Sequence, residues 1–545
     1  MRELFTFHGG VHPAEHKAES TGRPIASAPL PARLTVPLSQ HIGNPAKAVV
    51  APGESVRKGQ IIGKADGYVS AAVHAPTSGT VVAVEMRPVP HPSGLSDLCV
   101  VIDSDGEDRW IDHGPLDYRS LSASEVRNRL RDAGVVGLGG AVFPSYVKLN
   151  AGKAQKVPTL IINGAECEPW ITCDDMLMRE RAAQIVQGVA IMRHLLDSDE
   201  VLIGVEDNKP EAIAAMRAAC AGTGFEVVEV PTLYPSGGAK QLTQILTGKE
   251  PPSGGRSTDI GVQVFNVGTA YSVHRALDRG EPVISRIVTV TGNVRRPQNF
   301  EVLIGTPVEA LIALTGAPRD DTTGYIMGGP MMGFDLQSAR VPVTKAMNCL
   351  IAKSDSLFPP PPPPLPCIRC TQCAQACPVS LQPQELYWFA KSKNFGKAQE
   401  YQLFDCIECG CCDYVCPSHI PLVQYYRFAK SEIWAREREK KAADLARERH
   451  EFRLLRLERE KKERADKLAQ KAAASKPTAA MPMPDAEAKK AAIQAAIERA
   501  KAKKAGVVPQ NVDNLPPDKL QEIREIEARR SKLKQAMEAP PEDQP

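Results

Sequence analysis

Hydrophobic and polar positions change their period several times along this chain, and each change marks a change of element. Between 30 and 92 the apolar residues are β-branched and come in short runs, broken by Pro-Gly and Ser-Gly in APGESVRKGQIIG and HAPTSGTVVAVE. That pattern predicts short strands joined by tight turns. From about 118 to 276 it becomes α/β. SASEVRNRLRDAG predicts a helix with Ser122 as N-cap and Glu125 three residues on, a capping box. VPTLIINGAE predicts a strand that ends in polar residues, and LIGVED and EVVEVPTLY predict two more, separated by the helical KPEAIAAMRAACAG. From 285 to 345 strand-like stretches return, SRIVTVTGNV and GYIMGGPMMG, around the helical GTPVEALIALTG.

Six prolines follow Phe358. They predict a stiff polyproline II spacer of roughly 20 Å, at about 3.1 Å per residue. A cysteine-rich stretch runs to about 430. Beyond it, AREREKKAADLARERHEFRLLRLEREKKERADKLAQ is strongly helix-forming with few apolar positions. After Ser475 the composition turns to Ala, Lys and Pro, which predicts disorder with a further helix near IQAAIERAKAKKA.

Composition narrows the class. No run of about 18 apolar residues exists, so no spanning helix is expected. MRELFTFHGG lacks an apolar signal region, so export is not expected. Fourteen cysteines in such a chain are poor disulfide candidates in a reducing compartment, and nine of them lie between Cys367 and Cys416. That concentration points to metal chemistry. The net charge of +3 makes no statement about nucleic acid. Residues 431 to 470 hold 13 Lys/Arg against 10 Asp/Glu, the balance of a solvated or partner-packing helix rather than a nucleic-acid stripe.

PCIRCTQCAQACPVS and FDCIECGCCDYVCPS each contain C-x2-C-x2-C-x3-C-P. In bacterial two-cluster ferredoxins the first three thiolates of each motif bind one cubane cluster and the fourth binds the other. By that rule Cys367, Cys370, Cys373 and Cys416 hold one [4Fe–4S] cluster, and Cys406, Cys409, Cys412 and Cys377 hold the second. Pro378 and Pro417 turn the chain away without leaving an unpaired N–H. Structural zinc also uses C-x2-C pairs, but it gives no role to a third cysteine at the same interval or to a proline after the fourth in both copies. Cys411 interrupts the second motif and is expected to be a small buried filler. Cys99, Cys220 and Cys349 have no ligand-type neighbours, and Cys167 and Cys173 lack a complete ligand set.

A two-cluster module needs a donor. In GVVGLGGAVFPSYVKLN, Gly137, Gly139 and Gly140 remove side chains where a phosphate would meet backbone N–H groups, and Lys148 could add a charge-assisted contact. Alone, such a loop is also what a turn in a packed domain looks like, and it is neither a Rossmann fingerprint nor a Walker A loop. In INGAECEPWITCDD, Asn163, Glu166 and Glu168 follow a strand end, where α/β sheets place ligands. Acids there could bind ribose hydroxyls or a nicotinamide amide; a solvated acidic loop would look the same.

Together, GLGGAVFP and NGAECEP resemble the FMN- and NADH-binding region of the respiratory complex I flavoprotein. The two halves of residues 30 to 92 resemble a lipoyl/biotinyl-type sandwiched barrel, with Tyr68 where a carrier member has its lysine. Residues 285 to 345 resemble the soluble-ligand-binding β-grasp (SLBB) module. The whole, over about 1 to 430, is similar to the RnfC family, from the Rnf (Rsx) ion-translocating electron-transport complexes; YPSGGAKQL, NVGTAYSVHRAL and CIECGCCDYVCPSHIPLVQYY add to the likeness.

That resemblance implies a multidomain α/β and α+β chain. It would comprise a barrel-sandwich domain over 1–115, an FMN/NADH α/β domain over 116–278 and an SLBB module over 279–350. A proline-rich linker would follow over 351–366, a two-[4Fe–4S] ferredoxin-like domain over 367–430, and a helical and disordered tail over 431–545. It also implies roles. Gly137, Gly139, Gly140 and Lys148 would surround the FMN phosphate and ribityl chain, Asn163 and Asn266 would hydrogen-bond the flavin, Glu166 and Glu168 would lie beside NADH or NAD+, and Phe143 would stack near it. A flavin converts between hydride pairs and the single electrons of clusters, so no catalytic acid or base is named.

The expected function is a peripheral NADH-oxidising (or NAD+-reducing) entry subunit on the cytoplasmic face of the bacterial inner membrane. Its partners would be integral membrane subunits and a ferredoxin-like iron–sulfur subunit, with ferredoxin reached indirectly and no nucleic acid. The alternatives are a soluble diaphorase subunit of a hydrogenase or formate dehydrogenase, and an internal electron relay without NADH activity.

Overall fold

The computed structural model describes residues 2–150, 156–474 and 486–505. The chain divides into two units, Met1–Lys441 and Ala442–Pro545.

At the centre of the first unit is a four-stranded parallel sheet in the order Glu226–Val230, Glu200–Glu206, Thr159–Gly164, Val262–Asn266. Its inner strands are apolar along nearly their whole length because helices cover both faces. Helices Cys173–Leu196 and Val267–Asp278 cover one face, and Ala239–Thr247 covers the other. The first two meet backbone to backbone: a Cβ on Gly188 would fall 1.8 Å from the Ala270 carbonyl oxygen. Helix Ala123–Asp132 begins at Ser122, whose hydroxyl and Glu125 form the capping box expected of them.

Strands Arg33–Pro37, Ser96–Ser104, Gly79–Pro88 and Ser55–Val56 form one barrel sheet, and Lys47–Ala48, Ile61–Lys64 and Val73–His74 a second. Tyr68 stands exposed between the last two strands of the second sheet. The SLBB region is a six-stranded mixed sheet ordered Ala26–Ser27, Gln298–Leu303, Ser285–Gly292, Cys349–Lys353, Gly324–Met327, Phe334–Asp335.

Its edge strand comes from the N-terminus. Residues 2–27 do not enter the barrel; they run as a strap over the other domains. Arg2 pairs with Glu200 and Glu226. Val11 bridges Tyr234, Gly10 N donates to the Ala376 carbonyl at 3.0 Å, and Ala26 pairs with Phe300.

In the cluster region, short helices Gln372–Ala376 and Cys411–Tyr414 follow the two cysteine loops, and helix Pro383–Lys391 packs beside them. Helix Leu422–Ala474 starts inside this region rather than after it. Leu422, Val423, Tyr426, Ala429, Lys430 and Ile433 form its buried face, at helical spacing. The second unit holds the remainder of that helix and helix Ala486–Ala505, with pairs such as Arg459–Glu463 at 3.2 Å along an exposed surface. No helix among the described residues is long and apolar enough to cross a membrane.

Candidate redox site

The carboxyl edge of the parallel sheet sets Asn163 beside Asn266, because their strands pair in register there. Asn266 caps helix Val267–Asp278. Its Oδ1 accepts from Gly268 N at 2.8 Å, and its Nδ2 donates to Asp174 Oδ2 at 2.5 Å. The Gly-rich loop lies against this cap: a Cβ on Gly139 would sit 3.2 Å from Asn266 Cβ. Gly137 N donates to the Phe143 carbonyl at 2.8 Å and closes the loop. Gly140 has φ +111° and nothing within 4 Å of where a Cβ would stand, so the loop's backbone is open on that side. Phe143 is half-buried. From behind, the buried Arg286 donates to the Leu138 carbonyl at 3.0 Å. Lys148 donates to the Val264 carbonyl and lies over the Phe265 ring at 4.6 Å. Burial pulls its pKa down to about 8.

The acidic stretch that follows Asn163 is a tightly held loop. Asn163 donates to the Gly237 carbonyl at 2.7 Å. The Glu166 carboxylate caps helix Cys173–Leu196, accepting from Asp174 N at 2.6 Å and Asp175 N at 3.0 Å. Burial, then the neighbouring Asp174, raises its pKa to about 7. Burial also raises Asp174. Glu168 Oε1 accepts from Met331 N at 2.8 Å and Met332 N at 3.0 Å, which ties the loop to the SLBB module. Both carboxylates are therefore engaged with protein backbone.

Three residues that organise this loop carry no sequence signal of their own. Lys17, from the strap, is buried and donates to the carbonyls of Glu166 at 2.7 Å, Glu168 at 2.9 Å and Ile171 at 2.7 Å. These bonds hold Glu166 at φ +51° and Trp170 at φ +71°. His16 stacks on Trp170 with ring centroids 4.1 Å apart. Tyr234 is buried, and its hydroxyl donates to the Cys409 carbonyl at 2.6 Å.

The two cysteine loops are conformational copies. Arg369 and Glu408 have φ +56° and +58°, Thr371 and Gly410 have +64° and +79°, and Ser380 and His419 both have +52°. Left-handed residues alternating with right-handed ones turn successive N–H groups to one side, a nest for an anion. Two of these bonds reach sulfur: Glu408 N to Cys406 Sγ and Leu381 N to Cys377 Sγ, each at 3.4 Å. The thiols group across the motifs. Cys412 has Cys406, Cys409 and Cys377 as charge neighbours, and Cys373 has Cys370 and Cys416. Cys367, Cys370, Cys373 and Cys416 line one cavity. Burial pushes the Cys406 thiol up to about 12 and the Cys412 thiol higher still. Four such thiols ionise together only around positive charge, as metal supplies. Cys411 is fully buried, and its thiol hydrogen-bonds Cys409, lowering that thiol's pKa.

Comparison with known proteins agrees with this geometry domain by domain. Residues 130–275 match the Nuo51 FMN-binding domain, 5–107 the RnfC barrel sandwich hybrid domain, 287–335 the SLBB domain and 366–420 the 4Fe-4S dicluster domain. The RnfC protein of the ion-translocating oxidoreductase complex from Serratia proteamaculans (strain 568) is 46% identical over 98% of this chain and 74% of its own length. Its counterpart of the same name from Klebsiella pneumoniae (strain 342) is 48% identical over 98% of this chain and 70% of its own. The chain belongs to the RnfC family of ion-translocating oxidoreductase complexes. A crystal structure of an NAD+-reducing [NiFe]-hydrogenase in the H2-reduced state is similar over 58% of this chain and 61% of that one, with TM-score 0.41 and 16% identity.

As an RnfC family member, this chain joins an FMN-binding domain to a dicluster domain, and its role is electron transfer within an oxidoreductase complex. The residues fit both groups. Gly140 leaves the loop backbone accessible, and the buried Lys148 ammonium would gain from a phosphate. The eight cysteines, in two crossed fours with N–H groups turned toward them, suit [4Fe–4S] clusters.

Proposed function

We propose that this chain is the NADH-oxidising, or NAD+-reducing, entry point of a membrane-bound ion-translocating complex. Bound FMN supplies the exchange between a hydride pair and single electrons. The chain's own residues bind and orient it. The loop of Gly137, Gly139 and Gly140 receives the phosphate and ribityl chain with Lys148, and Asn163 and Asn266 border the flavin. Glu166 and Glu168 hold the loop on which the nicotinamide nucleotide rests, and Phe143 flanks it. Cys367, Cys370, Cys373 and Cys416 ligate one cluster, and Cys377, Cys406, Cys409 and Cys412 the other. The complex's integral membrane subunits and a ferredoxin-like subunit would take the electrons onward, with this chain peripheral on the cytoplasmic face.

One observation carries the reading. The Gly-rich loop, the two asparagines and the cysteine loops are joined within one unit by direct hydrogen bonds, of which Tyr234 to Cys409 is one. The purified chain should then contain FMN and about eight irons, four for each cluster, and reduce ferricyanide with NADH. A chain with full flavin and iron that does not oxidise NADH would refute the entry role. A second reading, an internal relay, draws on the Glu166 and Glu168 carboxylates, which the backbone already engages. That chain would exchange electrons with a partner subunit and ignore NADH.

A further inference from the structure

The flavin-type domain touches the cluster region at one end only. The Tyr234 hydroxyl donates to the Cys409 carbonyl, and the Met331 carbonyl presses on Gly410, where a Cβ would fall 2.7 Å away. His8 Nδ1 lies 2.9 Å from the Cys377 carbonyl, and Gln241 Nε2 donates to the Pro378 carbonyl at 3.3 Å. These contacts fall on or beside Cys377 and Cys409. The other cysteine loop faces away: Cys370 is exposed and Ile368 is 68% exposed.

Tyr234 also adjoins the acidic loop, because the Glu168 carboxylate is the other polar neighbour of its hydroxyl. Glu168 in turn holds Met331 N. Two short paths, one through Tyr234 and one through Met331, thus run from Glu168 to adjacent residues of a single cysteine loop. A hydrogen bond donated beside an anionic cluster favours its reduced, more negative state, and hydrogen bonding and burial are among the terms that set cluster potentials.

We propose that Tyr234 is a positioning residue that raises the reduction potential of the cluster held by Cys377, Cys406, Cys409 and Cys412, and leaves the other cluster untouched. This makes that cluster the one nearest the flavin-type site and the better electron acceptor of the two in its immediate surroundings. The cluster held by Cys367, Cys370, Cys373 and Cys416 then stands at the exit. The inference rests on the cluster assignment of the proposed function.

The test is a potentiometric titration of the full-length protein, followed by low-temperature EPR, in wild type and Tyr234→Phe. The signal of each cluster is identified beforehand through Cys409→Ser and Cys370→Ser. Tyr234→Phe should move the midpoint of the Cys409-dependent signal to more negative potential and leave the Cys370-dependent signal in place. Should Tyr234→Phe fail to fold, 3,5-difluorotyrosine at 234 keeps the ring and strengthens the donor, and it should move the same signal the opposite way. Midpoints that stay put, or that move together, overturn the proposal. A wild type with fewer than two cluster signals would instead overturn the cluster assignment, so the two failures are distinct.

Discussion

Replacing Lys17 with methionine keeps the length and apolar stem of the side chain and removes three donors at once. The carbonyls of Glu166, Glu168 and Ile171 lose charge-assisted bonds of 2.7, 2.9 and 2.7 Å. A buried polar group left unpaired costs about 1–3 kcal/mol, which for three would reach about 3–9 kcal/mol. Two offsets reduce this. The contacts to Glu166 and Glu168 are only part-buried, so water can replace them, and a buried ammonium no longer has to be desolvated. The net loss should be about 3 kcal/mol, felt first as opening of the loop at 165–172. Helix Cys173–Leu196 reports that opening, because Glu166 accepts the amides of Asp174 and Asp175. Under conditions where exchange follows the opening equilibrium, deuterium uptake at those two amides should speed up about a hundredfold, since about 1.4 kcal/mol is a factor of ten. Uptake in strand Glu226–Val230, at the far edge of the sheet, should stay as it was. Unchanged uptake at Asp174 and Asp175 would refute the view that Lys17 holds the loop.

Three further outcomes follow from the same geometry. Gly188→Ala forces a methyl onto the Ala270 carbonyl, 1.8 Å from its oxygen, and should cost at least about 3 kcal/mol in urea unfolding, beyond ordinary overpacking, because backbone must move. Glu166 has a folded pKa raised to about 7 from 4.5, so folding favours its protonated form; that stabilisation is complete below pH 4.5 and is lost as pH rises through 7. Glu166→Gln should therefore flatten the fall in stability between about pH 5 and 8, a change on the order of 2–3 kcal/mol in denaturation across that range. Cys411→Ala should keep both clusters by iron and sulfide analysis, whereas Cys412→Ser should lose one.

Much of this architecture is legible in the sequence because its signals are local. The capping box at Ser122, the apolar run ending at Asn163 and the paired cysteine motifs each lie within about a dozen residues, where period and spacing are informative. The Cys173–Leu196 helix is not legible in that way. Its first turn, CDD, reads as the end of a solvated acidic loop, and apolar residues then occupy several sides, because the helix is packed against the sheet, a second helix and the SLBB module. Asp174 gives no signal for that reason, although it is the partner of Asn266. Lys17 and Tyr234 lie 149 and 175 residues from groups they bond. No period or motif links such positions; only the fold brings them together. The strap has the composition of a loop leading into the barrel, and its anchoring is visible only in its contacts.

The central claim is that electrons from NADH reach two clusters through this one chain. Its most direct test is an anaerobic titration of the purified protein with NADH, with flavin absorbance and low-temperature EPR read on the same samples. The account predicts flavin bleaching together with two magnetically interacting reduced-cluster signals. Intact clusters and bound FMN that do not respond to NADH would contradict it.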